Sequence, residues 1–114
     1  YFHHPLYSDG KSHGPDLDLR AQVLPIFKKN GVNVVFSGHE HVYERLKVEE
    51  GIHYFILGNS AKLMTHDFSS NQNMEVGKDN ERGFMIVEIG GDNLYFQTIT
   101  RVGETVDSGM IARQ

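Results

Sequence analysis

The sequence has no cysteine, which removes disulfides, thiolate zinc sites and cysteine nucleophiles together and leaves the redox compartment undetermined. Any metal ion must then be held by nitrogen and oxygen. Long apolar runs are missing as well. The longest, at 54–57 and 84–87, have four residues, against the roughly 20 that a membrane-spanning helix needs. A basic excess is missing too: eleven Lys and Arg against fifteen Asp and Glu give a net charge of −4, the wrong sign for gripping nucleic-acid phosphates. Neither a membrane span nor a nucleic-acid partner is expected. No initiator Met and no signal-peptide pattern precede Tyr1-Phe2-His3, so the chain reads as if cut from a longer protein. Its 114 residues leave room for one domain or a piece of a larger one.

What the chain has in excess is histidine. There are seven, and five of them (His3, His4, His13, His39, His41) fall in the first 41 residues. Tyr1-Phe2 reads as the end of a strand, and residues 4–15, with Pro5, Gly10, Gly14 and Pro15, read as loop. Asp16 can cap a helix that carries Asp18 in its first turn and Leu17, Ala21, Leu24 and Phe27 as an apolar stripe. Asn30-Gly31 supplies its stop, and Pro25 predicts a kink or a break near Leu24. Residues 32–37 form a β-branched run of the kind that makes a buried strand, and a helix leading into such a strand suggests an α/β unit. Further strands are predicted at 52–57, 83–89 and 93–101, the last two joined as a hairpin by Gly90-Gly91-Asp92, with a short edge strand at 104–113. Residues 58–82 show little periodicity and read as a long loop beside the site, with its middle the most mobile internal segment.

Gly38-His39-Glu40-His41 follows the buried strand directly. Strand C-terminal ends are where open α/β sheets bind ligands. In extended backbone, residues two apart point the same way, so His39 and His41 could aim at one point. Alone, the tetrapeptide could equally be two polar loop residues. His3 changes that balance: if strands 1–2 and 32–37 are neighbours, it meets the pair, and three strand-end imidazoles favour a metal site.

These residues carry a resemblance. His3-x-Pro5-x-Tyr7, Ser12-His13-Gly14-Pro15-Asp16 and the run from Val34 through Gly38-His39-Glu40-His41-Val42-Tyr43-Glu44-Arg45 resemble the calcineurin-like metallophosphoesterases, most closely the purple acid phosphatase-like branch. The resemblance implies a share of a four-layer α/β/β/α sandwich, with a mixed sheet and a C-terminal β-hairpin. It implies His3 and His39 on the second metal, His41 on the first, and His13 facing the substrate phosphate and leaving group without binding metal. The complete domain would hold two divalent or trivalent ions, iron with iron, zinc or manganese. The family's aspartate and asparagine ligands lie in motifs absent from this chain, so residues 1–114 correspond to the C-terminal portion of the catalytic domain. Alone they would hold at most one metal well, lack competence as an enzyme, and either self-associate or need the missing half.

The activity implied is metal-dependent hydrolysis of phosphate monoesters, on a phosphorylated small molecule or a phosphoprotein. Its alternatives are a phosphodiesterase or nucleotide-processing enzyme of the same superfamily, and a non-catalytic metal- or partner-binding scaffold. Location tilts towards secreted or periplasmic. Imidazole titrates at about 6.5, so a histidine facing the phosphate can donate a proton in mildly acid conditions.

The remaining polar residues read more plainly. His4 points away from His3 if the backbone is extended, His53 sits on the face of Phe55 and Leu57, and His66 is solvated. Glu40 alternates away from the histidine pair, while Glu44-Arg45 looks like a structural ion pair. Tyr7 and Tyr43 could line the pocket but read rather as supports for the loops, and Asp9 could approach the metals. Asn59, at a strand end beside the site, is the further candidate for substrate contact, with Lys62 near it.

Overall fold

A computed structural model describes residues 1–69 and 72–114. Asp16 caps the one helix among the described residues, α1 (Leu17–Lys29), its carboxylate accepting the Leu19 amide at 2.9 Å. The helix runs unbroken through Pro25, contrary to the predicted kink or break. Proline removes the bond to the carbonyl of Ala21, and both residues are exposed, so water can serve that carbonyl instead. The buried stripe also differs from the one read off the sequence. Leu19, Val23, Leu24 and Phe27 pack inwards, whereas Leu17 stands out at 55% exposure and Ala21 faces solvent.

Seven strands follow: β1 (Val34–Ser37), β2 (Tyr43–Leu46), β3 (His53–Leu57), β4 (Met74–Lys78), β5 (Gly83–Gly90), β6 (Asn93–Thr100) and β7 (Thr105–Ala112). Among the described residues they make two sheets. One is mixed, in the order β1-β3-β2-β4, with β1 parallel to β3 and the other pairs antiparallel. The other is an antiparallel meander, β5-β6-β7, so the expected hairpin is extended by a full third strand. The strands β2 and β4 were not predicted, and β4 lies inside the stretch read as loop. Residues 70 and 71, in the middle of that stretch where mobility was expected, lie outside the described residues.

The mixed sheet is the central layer. On one side Val35, Leu46, Ile52, Tyr54 and Ile56 pack with Leu6 against α1. On the other, Tyr43 and Phe55 meet Phe96 and Ile111 of the meander, with the Phe55 and Phe96 rings 4.9 Å apart in an edge-on contact. Helix, mixed sheet and meander thus form three layers, as three of the four layers of the expected sandwich would. No helix covers the outer face of the meander among the described residues, where Phe84, Ile86, Tyr95 and Met110 are 45–55% exposed. At the free end of β5, Ile89 is 75% exposed, and an apolar gap of about 300 Å³ opens between Val34, Ile89, Leu94 and Ile111.

Candidate metal centre

The first residues run beside β1 without forming a regular strand. Phe2 N–H donates to the Phe36 carbonyl at 3.1 Å and Gly38 N–H to the His3 carbonyl at 3.0 Å. The expected adjacency of these two segments holds, and it fixes His3 at the C-terminal end of β1. There the chain turns sharply. His39 takes a left-handed conformation, φ 71°, and Glu40 N–H folds back to the Gly38 carbonyl at 2.9 Å.

That turn decides which imidazoles meet. His3 Nε2 and His39 Nδ1 are 3.0 Å apart. The His4 ring lies 4.5 Å from that of His39 and 5.0 Å from that of His3, centroid to centroid. His3, His4 and His39 can each present a ring nitrogen within 4.8 Å of the others. The structure therefore brings His3 and His39 together as expected, adds His4, and leaves half-buried His41 outside this trio. Strand alternation, assumed for the step from His39 to His41, does not survive a left-handed residue at 39. The same alternation had excluded His4, although the chain bends at residues 3 and 4, inside the segment whose prolines and glycines already marked it as loop.

His13 arrives from that loop. Its ring centroid is 4.1 Å from the His39 ring, and with His4, Gly14 and Asp16 it lines a cleft of about 220 Å³. Partial burial, with the neighbouring His13, His4, His3 and His41 charges adding to it, lowers the His39 pKa. A neutral imidazole with a free lone pair is the form a metal needs. Imidazole nitrogens of this kind suit borderline first-row divalent ions. The described residues gather no carboxylate among these donors.

The carboxylates serve the scaffold instead. Asp9 is buried and accepts from the Asn73 amide, the Asn73 side chain and the Met74 amide, each at 2.9 Å. Buried Glu44 accepts from Asp9 N–H at 2.7 Å and from the Ser8 hydroxyl at 3.2 Å. It does not pair with Arg45, whose guanidinium grips Asp107 of β7 through Nε at 2.7 Å and Nη2 at 3.2 Å. Consecutive strand residues face opposite ways, so the expected Glu44–Arg45 pair could not form. Glu40, fully buried, turns away from the imidazoles as expected, and burial, reinforced by nearby Asp67, raises its pKa. Tyr43 is a support: its hydroxyl donates to Asp107 at 2.7 Å. Asn59 is buried and spends its amide on the Glu81 carbonyl at 3.0 Å, so the structure occupies this substrate-contact candidate in holding the 58–82 segment. His53 is half-buried and lowered in pKa by burial and by Arg45, while His66 is exposed.

Residues 1–43 match the profile of the calcineurin-like phosphoesterase family. Purple acid phosphatase 17 of Arabidopsis thaliana is 32% identical over 68 residues, covering 59% of this chain and 20% of its own length. Tartrate-resistant acid phosphatase type 5 of Rattus norvegicus is 24% identical over 120 residues, covering 98% of this chain and 36% of the relative. Among solved structures, GAP50, described as the anchor in the inner membrane complex of Plasmodium, superposes with a TM-score of 0.86 at 19% identity, over 98% of this chain and 35% of that one. That likeness shows the fold alone. The chain spans about a third or less of the length of these relatives. Profile and relatives point the same way: over residues 1–43 the chain is similar to the calcineurin-like phosphoesterases, and its curated relatives are acid phosphatases of the purple, tartrate-resistant kind.

Proposed function

We propose that residues 1–114 are the C-terminal portion of a metallophosphoesterase catalytic domain, and that the whole protein hydrolyses phosphate monoesters at a two-metal centre. The observation that carries this reading is the 3.0 Å approach of His3 Nε2 to His39 Nδ1, with the His13 ring 4.1 Å from the His39 ring. His3 and His39 would hold one ion and His41 would serve the other, in company with ligands from outside these residues. When bound, the ions supply Lewis-acid polarisation of the phosphoryl group and activation of a water. His13, exposed at the rim of the cleft, contacts the phosphate and hands a proton to the departing alcohol oxygen. The substrate is a phosphorylated small molecule or a phosphoprotein.

Two observations support treating the chain as a portion: it spans 20–36% of the relatives' lengths, and apolar Ile89 is left open at the β5 end. The test uses the full-length protein. Reconstitution should give two metals per chain and hydrolysis of p-nitrophenyl phosphate, and His39→Ala should lower both. Activity indifferent to His39→Ala, or less than one metal bound, would sink the proposal. Faster hydrolysis of the bis-p-nitrophenyl ester would replace it with a phosphodiesterase. The second reading is a scaffold without catalysis. A well-folded full-length protein that binds no metal and hydrolyses neither ester would establish that one.

A further inference from the structure

The loop that presents His13 is tied at two points. Towards its start, Asp67 takes both Lys11 N–H, on its carbonyl, and the Ser12 hydroxyl, on Oδ1, at 2.5 Å each. Towards its end, a single carboxylate oxygen, Glu40 Oε1, accepts His13 N–H at 3.1 Å and Gly14 N–H at 2.5 Å. Glu40 is 0% exposed, and its carboxyl group lies so close under Gly10 that a Cβ there would come within 2.5 Å of it. The Glu40 backbone is held as firmly, by its N–H to the Gly38 carbonyl and by Gly58 pressed against its own carbonyl.

We propose that Glu40 is a positioning residue that couples His13 to the metal centre. Its main chain fixes the turn that places His39, and its side chain fixes the main chain of residues 13 and 14. The spacing between the two imidazoles is thereby set by one buried residue. This rests on the reading of His13 as the group that faces the phosphate. Reach, not charge, is what the hold requires. Glutamine keeps the accepting oxygen and places its amide where Glu40 Oε2 has no donor, near an Asp67 oxygen that also lacks one. Aspartate keeps the charge but withdraws the carboxylate by one C–C bond, about 1.5 Å, out of hydrogen-bond range of the two amides.

The experiment compares Glu40→Asp, Glu40→Gln, His13→Ala and the Glu40→Asp/His13→Ala double variant in the metal-loaded full-length protein. It measures kcat, metal content and amide hydrogen exchange across residues 10–16. Glu40→Asp should speed exchange at residues 13 and 14 and lower kcat by the same factor as His13→Ala, on the order of 10²-fold. Metal content should be unchanged, and the double variant should be no slower than His13→Ala alone. Glu40→Gln should recover most of what Glu40→Asp loses. Unchanged exchange in Glu40→Asp overturns the proposal. So do losses that multiply in the double variant, or an order of effects in which aspartate is tolerated and glutamine is not. If His13→Ala alone costs no activity, the assignment of His13 fails, and the exchange data still decide whether Glu40 holds the loop.

Discussion

The mixed sheet and the meander bury different chemistry. Beneath the mixed sheet and its loops lie four buried carboxylates, Asp9, Glu40, Glu44 and Asp67. The first three each accept at least one main-chain N–H, and Asp67 accepts the Ser12 hydroxyl. The meander buries one carboxylate, Asp107, and spends it on the other sheet, on Arg45 and Tyr43. The rest of its inner face is uncharged, Phe96 and Ile111 with the buried hydroxyl residues Thr98 and Thr100, and its outer face shows Phe84, Ile86, Tyr95 and Met110. Buried charge therefore collects where irregular backbone must be held in one shape. A ladder of strands satisfies its own amides and needs none. The histidines stand on the region of the first kind.

Gly58→Ala should break the mixed sheet outright. A Cβ at 58 would be driven into the Glu40 carbonyl, which is backbone and cannot swing aside. The expected loss exceeds about 3 kcal/mol, read as loss of soluble folded protein or of a cooperative melt. A variant melting like the parent would show that this joint is looser than the contact implies. Asp107→Ala attacks the seam between the sheets. It strands the half-buried Arg45 guanidinium and the buried Tyr43 hydroxyl at once, at a cost of about 2–4 kcal/mol. Chemical denaturation measures it, and a change under 1 kcal/mol would mean that the aromatic contacts alone hold the meander in place.

A smaller effect sharpens the contrast through pH. Burial is the main cause that pushes the Glu44 carboxyl from 4.5 up to about 7, against the pull of Asp9 N–H and the Ser8 hydroxyl, with the Asp9 and Glu40 charges adding to the rise. A carboxyl raised on folding binds more protons folded than unfolded. Its contribution is therefore full below about 4.5 and is lost as pH climbs through about 7. Denaturation of the metal-free full-length protein should show stability declining across that window, and Glu44→Gln should flatten the slope. An unaltered slope in that variant would place the titration elsewhere.

Much of this architecture was legible in the sequence, because the residues involved act locally. The β-branched and aromatic runs gave β1 and β3, Gly90-Gly91-Asp92 gave the β5–β6 hairpin, and Asp16 gave the start of α1. What escaped was settled at a distance. Tyr43-Glu44-Arg45-Leu46 has the polarity of a surface segment, yet it forms the buried strand β2 because Glu44 is taken up 35 residues away and Arg45 62 residues away. Strand β4 is a polar outer strand of its sheet whose pairing with β2 supplies the order its composition lacks. At the site, His3 with His39 followed from the adjacency of two chain segments. The placing of His4 turned on the bend at residues 3 and 4, and that of His41 on one backbone angle, at His39, that no periodicity encodes.

That angle has a price. An L-residue with a side chain resists the left-handed region by roughly 1–2 kcal/mol, and His39 is held there by its neighbours on both sides. The chain therefore keeps imidazole at position 39 against its own conformational preference, whereas glycine there would relieve the strain and delete the proposed ligand in one step. Fold and chemistry pull in opposite directions at this residue. On the function proposed above, such a change would yield a sandwich easier to fold and poorer at holding metal, a one-step physical route from an active site to an inert scaffold of the same shape.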